Sequence, residues 1–355
     1  MVLKVGVATL PTTPEDIAYV VEAERLGVDS LWVPEFWSYD ALTPLGALAH
    51  ATTTLQLGTG IVQLGSRSPA VLAMSAMGLQ QLSGGRFRLG IGTSGPQVVE
   101  GWHGVRFDRP LQRTRETIDI IRIATSGERL SYDGQIYQLP LPDSEGRSIR
   151  SAAPPTQVPI YNASLGPKNL RLTGELCDGW IGNSFLPESG HIFIDEIEAG
   201  AVAVGRSLDD IELTVSAACE FTDDFEGAAR RHAGGYAFTF GAMGSEKTNF
   251  YNNAFGKQGF AEDVAEVERL WRSGDREAAA ARVPAEIGSG TNLLGNDDQI
   301  TDRLRLYRDC GIATLRVGPQ GDTATERLDC LARLLDLVAS VNNEQSTNHN
   351  TAKGT

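Results

Sequence analysis

Apolar, β-branched runs recur eight times along this chain, and most of the gaps between them carry helical periodicity. The runs fall at 3–8, 30–33, 55–62, 87–92, 158–162, 179–183, 211–219 and 314–317. Short continuous apolar runs suit strands covered on both faces, as parallel sheets require. Strands alternating with helices imply parallel neighbours joined by right-handed crossovers. Eight such units favour an α/β fold of the closed (β/α)8 TIM-barrel type over an open sheet.

Local signals support the alternation. Thr13 stands as a cap before Pro14, with Glu15 and Asp16 near the positive end of the first helix, and Gly27 ends it. Ser68-Pro69 opens a helix over 70–82, and Pro167 opens another over 168–177. Later helices are expected over 188–204, 224–240, 261–272, 297–309 and 325–341. At 355 residues the chain exceeds a plain barrel of roughly 250 residues by roughly 100. The excess lies at about 128–155, with a hairpin around Tyr132-Asp133-Gly134, and at about 221–294. We therefore expect one barrel domain over 1–341 with two insertions, and a polar, disordered tail over 342–355.

Charge excludes some partners. With 31 basic against 45 acidic residues the formal net charge is −14, and no basic block interrupts it, so neither nucleic acid nor an anionic membrane is expected to bind. No apolar run reaches the ~18 residues of a membrane span, and the start of the chain carries no secretory signal pattern. Cys177, Cys219, Cys310 and Cys330 are widely spaced with no CxxC, which suits a reducing, cytoplasmic location. His50, His103, His191, His232 and His349 form no ligand cluster, so no metal site is expected.

The candidate chemistry lies where strands end. The third and fourth strands both run into loops rich in glycine and hydroxyls, which let backbone amides approach an anion or a flat ring. Gly90-Ile-Gly-Thr-Ser-Gly95 matches GxGxxG, but no clean helix follows it and no strand-end acid lies about 20 residues on. A Rossmann site is therefore disfavoured. Tyr161-Asn-Ala-Ser-Leu-Gly-Pro-Lys168 is a strand, a small-residue turn and a proline-started helix, which makes either an ordinary βα turn or a phosphate seat. Glu35 follows the second strand in Val33-Pro34-Glu35-Phe36-Trp37. Walled by apolar groups, such a carboxylate could serve in proton transfer; on a surface loop it would be inert. Trp37 and Trp102 could stack on a planar ring, and His103 could face a substrate. Trp102, His103, Phe240 and Phe250 are candidate pocket-lining residues.

Taken together, these residues resemble the luciferase-like monooxygenase superfamily, and within it the coenzyme F420-dependent branch. That branch includes methylenetetrahydromethanopterin reductase and F420-dependent glucose-6-phosphate dehydrogenase. The resemblance runs through about Gly318 and rests most on LGTGIVQLGSRSPAVLAMSAMGLQQLSGGR, LGIGTSGPQVVEGWHGVRFDRPLQRTRETIDIIR and PIYNASLGPKNLRLTGELCDGW. It implies a barrel with the cofactor at the C-terminal face and a non-proline cis peptide at Gly60–Ile61, on a bulge behind the deazaflavin ring. It matches Thr93, Ser94 and Gly95 to the loop lining the ring, and Ser164, Leu165, Gly166, Pro167 and Lys168 to the phosphate turn. Glu35 falls beside the ring, and with Trp37 and His103 makes the candidate catalytic set. Phe36 and Gly95 stand where the sugar-phosphate dehydrogenase has His and Glu. The implied activity is hydride transfer between the deazaflavin C5 and a small-molecule substrate, by a homodimer. An FMN-dependent monooxygenase on the same fold is the alternative.

Overall fold

The computed structural model describes residues 2–243 and 249–352. Eight parallel strands close into a ring: β1 (Lys4–Ala8), β2 (Ser30–Val33), β3 (Gln56–Thr59), β4 (Phe87–Gly92), β5 (Ile160–Ala163), β6 (Gly179–Gly182), β7 (Glu212–Phe221) and β8 (Thr314–Pro319). Each pairs with its sequence neighbours, and closure is made by β8 against β1, in register from Lys4↔Thr314 to Val7↔Val317. All eight expected strands form.

The helix signals act as their chemistry requires. Thr13 and Asp16 make a reciprocal capping box on Pro14–Leu26, and Gly27 closes that helix at φ 101°. Ser68 caps Pro69–Ser83 and Gly84 ends it at φ 66°. One strand departs from the apolar patterning, at the bulge and cis bond that the resemblance implies. The run expected over 55–62 is split: β3 stops at Thr59, the Gly60–Ile61 bond is cis, and Val62–Gln63 then pairs only with β4. The last helix also differs, running from Ala324 to Ala352 instead of ending at Val341. Its polar continuation has partners. Asn342 accepts from Leu3 N and donates to Leu3 O, both at 2.9 Å, and Arg305 pairs with Glu344 at 2.6 Å. Residues 353–355 lie outside the described residues.

The barrel interior is filled in layers. At the amino end, Arg88 donates to the Tyr161 hydroxyl (2.9 Å), which donates to Glu212 (2.7 Å), and Thr314 donates to the other Glu212 oxygen (2.7 Å). Above this polar plug, Trp32, Tyr161 and Ile181 pack together, with Trp32 edge-on to Tyr161 at 5.2 Å. Trp32 is large because β3 is small. A Cβ on Gly58 would lie 2.5 Å from the indole, so any other residue there would drive the ring out.

The insertions sit outside this cylinder. The first carries the hairpin Tyr132–Asp133 against Gln138–Leu139, whose turn is held by the buried Glu116 carboxylate, accepting from the amides of Gln135, Ile136 and Tyr137. The second, between β7 and β8, includes helices Phe225–Ala242, Ala261–Arg272 and Ala285–Thr291. It builds a small core of its own around Phe240, Phe255 and Val267.

The plug sets an acid limit. Burial alone would push the Glu212 carboxyl up, but the hydrogen bonds from Thr314 and Tyr161 and the charges of Arg88 and Lys4 outweigh it and hold it below its ordinary 4.5. A carboxylate held below its unfolded value stabilises the fold above that value and loses this as pH falls through the folded one. Glu212→Gln is expected to cost ~1–3 kcal/mol at neutral pH. Urea melts at stepped pH should show the gap from wild type closing below about 4.5; a gap independent of pH would refute the assignment.

Candidate active site

Because the strands are parallel, every loop that follows a strand opens on one rim. Alternation puts Gly92 of β4, Ala163 of β5, Ala218 of β7 and Gly318 of β8 at its inner lip, all small. A Cβ on Gly318 would meet nothing within 4 Å, whereas one on Gly92 would lie 3.0 Å from Ile61. The lip is therefore open over β8 and closely packed between the β3 break and β4. Trp32 and Ile181 floor the opening.

Three of the expected cofactor segments are neighbours on this rim, because β3, β4 and β5 are adjacent. Gly60 and Ile61 form the β3 break. Thr93, Ser94 and Gly95 follow β4, and Ser94 holds a left-handed φ of 56°, a conformation few non-glycine residues adopt outside constrained sites. The four-residue helix Pro96–Val99 follows at once, which explains the missing amphipathic pattern there. After β5, Ser164 bonds Thr173 (2.9 Å) and its carbonyl accepts from Trp180, fixing the turn Leu165-Gly166. Helix Pro167–Leu176 then starts without any side-chain cap, and Lys168 lies exposed in its first turn. An uncapped helix start with a lysine is a seat for an anion.

For Glu35 the structure matches neither alternative in full. Phe36 and Trp37 turn outward, each about half exposed. The carboxylate is buried instead against Arg67, which donates to both of its oxygens (2.7 and 2.8 Å), and the Ala41 amide donates as well (3.1 Å). That hydrogen bond holds the Arg67 guanidinium above its ordinary pKa. Both Glu35 oxygens therefore accept hydrogen bonds, which hold the carboxylate in place beside the β2 end.

His103 joins the same network. Gln63 donates to the Glu35 carbonyl (3.2 Å), so its amide oxygen is the acceptor for His103 Nε2 at 3.1 Å. The His103 Nε2 therefore carries a proton and donates it to Gln63. Trp102 is 64 % exposed. Sequence reading missed Gln63 and Arg67, although polar residues just beyond a barrel strand are a usable signal.

On the opposite side of the rim, a cavity of about 270 Å³ lies between the ends of β6 and β7 and the second insertion. Asn183, Ser184, Ser216, Tyr236, Tyr251 and Asn292 line it. Phe240, expected on such a wall, is fully buried in the insertion core, and Tyr236, one turn earlier, takes the place. The Tyr236 hydroxyl bonds Thr291 at 3.0 Å.

Comparisons with known proteins agree with this architecture. A Mycobacterium tuberculosis protein, named provisionally as a coenzyme F420-dependent oxidoreductase, is 36 % identical over 307 residues, covering 84 % of this chain and 88 % of its own. The 5,10-methylenetetrahydromethanopterin reductase of Archaeoglobus fulgidus is 29 % identical over 306 residues, with the same two coverages. The solved coenzyme F420-dependent tetrahydromethanopterin reductase from Methanopyrus kandleri superposes with a TM-score of 0.75 at 22 % identity, over 94 % of this chain and 98 % of that one. The family model for luciferase-like monooxygenase matches residues 4–314, and the chain belongs to that family.

Proposed function

We propose that this protein is a coenzyme F420-dependent oxidoreductase that moves a hydride between the deazaflavin C5 and a carbon of a small organic substrate. The observation that carries this reading is the adjacency on one rim of the β3 break, the Ser94 loop and the uncapped helix start with Lys168. The names of the two curated relatives support the choice of cofactor.

Each segment then has a task. Lys168 and the first-turn amides after Gly166 hold a phosphoryl group, with Ser164, Leu165 and Pro167 shaping the turn. Gly60 and Ile61 back the ring, and Thr93, Ser94 and Gly95 line its edge. When bound, the deazaflavin supplies a carbon that carries hydride and reacts poorly with oxygen. The neutral, hydroxyl- and amide-lined cavity beside Asn183 receives the substrate. The Glu35–Arg67 pair and Gln63 hold His103 through its Nε2, with Nδ1 available for the proton that accompanies the hydride. The four cysteines are all free, in keeping with a cytoplasmic location. No helix among the described residues is long and apolar enough to cross a membrane. Val71, Met74 and Leu82 expose apolar surface on helix Pro69–Ser83, the face we assign to a homodimer contact.

Fluorescence titration of the purified protein with F420, and in parallel with FMN, tests the reading. Saturable binding of F420 is expected, with Lys168→Ala weakening it about tenfold; selective binding of reduced FMN with oxygen uptake would point to a monooxygenase instead. For the Glu35 network, Glu35→Gln and Arg67→Met are each expected to lose ~1–3 kcal/mol of stability, with the double variant no worse than either single one. A much larger loss of turnover in Glu35→Gln than in Arg67→Met would restore Glu35 as the proton carrier. Light scattering should give twice the chain mass for wild type and a monomer for Met74→Asp.

A further inference from the structure

The barrel holds a second arginine that the acidic plug does not explain. Arg316 lies on β8, two residues above Thr314, and is 3 % exposed. Its Nη2 donates to the Gly182 carbonyl (2.8 Å) and to Asn183 Oδ1 (3.3 Å), both at the end of β6. Its Nε is buried with no partner. Its Nη1 lies 3.7 Å from where a Cβ on Gly60 would be, and the guanidinium sits 5.9 Å from the Trp32 ring centre. The head therefore reaches from β8 across the floor of the rim, between β6 and the β3 break.

Among the described residues no carboxylate lies within 4 Å of it, in contrast to Arg88, which shares Glu212 at 3.9 Å. Burial alone pushes the Arg316 guanidinium down to about 9, so it is still charged at neutral pH. A buried charge without a counter-charge lowers stability, and an apolar residue of similar volume usually serves the fold as well or better. Stability therefore gives no reason for an arginine here, and one edge of it is aimed at the seat assigned to the ring.

We propose that Arg316 is a cofactor-tuning residue: it donates from its Nη1 edge to the carbonyl-bearing, electron-rich edge of the ring bound against Gly60, and so favours the reduced form of that cofactor. This rests on the F420 reading above. A hydride leaving a substrate carbon carries two electrons and a proton to the ring carbon. Hydride arrival would add one negative charge to the ring until a proton joined it, while the substrate's remaining proton would pass to a base or to water. A fixed guanidinium in a water-poor site stabilises that extra charge without reorganising, which is how a protein biases the electronics of a bound ring. Gly182 and Asn183 hold the guanidinium through Nη2, which leaves Nη1 beside Gly60.

The test compares wild type, Arg316→Met and Arg316→Lys by anaerobic fluorescence titration with F420 and with F420 reduced beforehand by borohydride, alongside thermal melts of the cofactor-free proteins. Arg316→Met is expected to melt at or above the wild-type temperature and to bind oxidised F420 within about threefold of wild type. It should bind the reduced form at least tenfold more weakly, which lowers the bound cofactor's two-electron midpoint by about 30 mV per tenfold. Arg316→Lys should recover part of the difference. Equal weakening of both redox forms, no change in either, or a clear fall in melting temperature would each overturn the assignment. If wild type binds no F420, the cofactor reading itself fails and this assignment with it; normal wild-type binding with an indifferent Arg316→Met defeats the arginine assignment alone.

Discussion

Closure of β8 on β1 is the constraint from which the rest follows. A parallel ring has no free edge, and it delivers the carboxyl ends of all eight strands to one side. Residues as distant as Glu35, Gln63, Ser94, Lys168, Asn183 and Arg316 share a rim only because the ring is complete. The interior then has to be filled, and it is filled unevenly. Charge and hydroxyls occupy the amino end around Glu212, aromatics the middle around Trp32, and the carboxyl end is left with glycine and alanine. That gradient makes one end a plug and the other a receptacle.

Much of this was legible in the chain. Strands buried on both faces leave apolar runs that stand out against amphipathic helices, so the eight strands and their order could be read directly. Caps at Thr13 and Ser68 follow from chemistry confined to four residues, and they form as written. The adjacency of the third, fourth and fifth strand ends followed once a barrel was chosen.

What could not be read depends on partners far apart in sequence. Glu35 looked like a carboxylate among aromatics because its neighbours in the chain are aromatic; its neighbour in space is Arg67, 32 positions on. The break after Thr59 is a backbone event that apolar patterning does not mark, and only the family resemblance pointed to Gly60–Ile61. The helix beyond Val341 looked too polar to be ordered, yet Asn342 and Glu344 are held by Leu3 and Arg305. Phe240 was placed on a pocket wall when the second insertion needed it for a core of its own. One signal was present and passed over: Arg316 is a charge flanked by Leu315 and Val317 in an otherwise apolar strand, and such a residue is rarely there without a reason.

The Asn342 side chain grips both backbone groups of Leu3, and Leu3 leads into β1 from the end of the cylinder opposite the rim. A tether grafted just ahead of Leu3 would therefore emerge from the plugged end, held steady by that two-point clasp. Immobilised in this way on an electrode or a bead, the molecule would stand with its open mouth toward the solution.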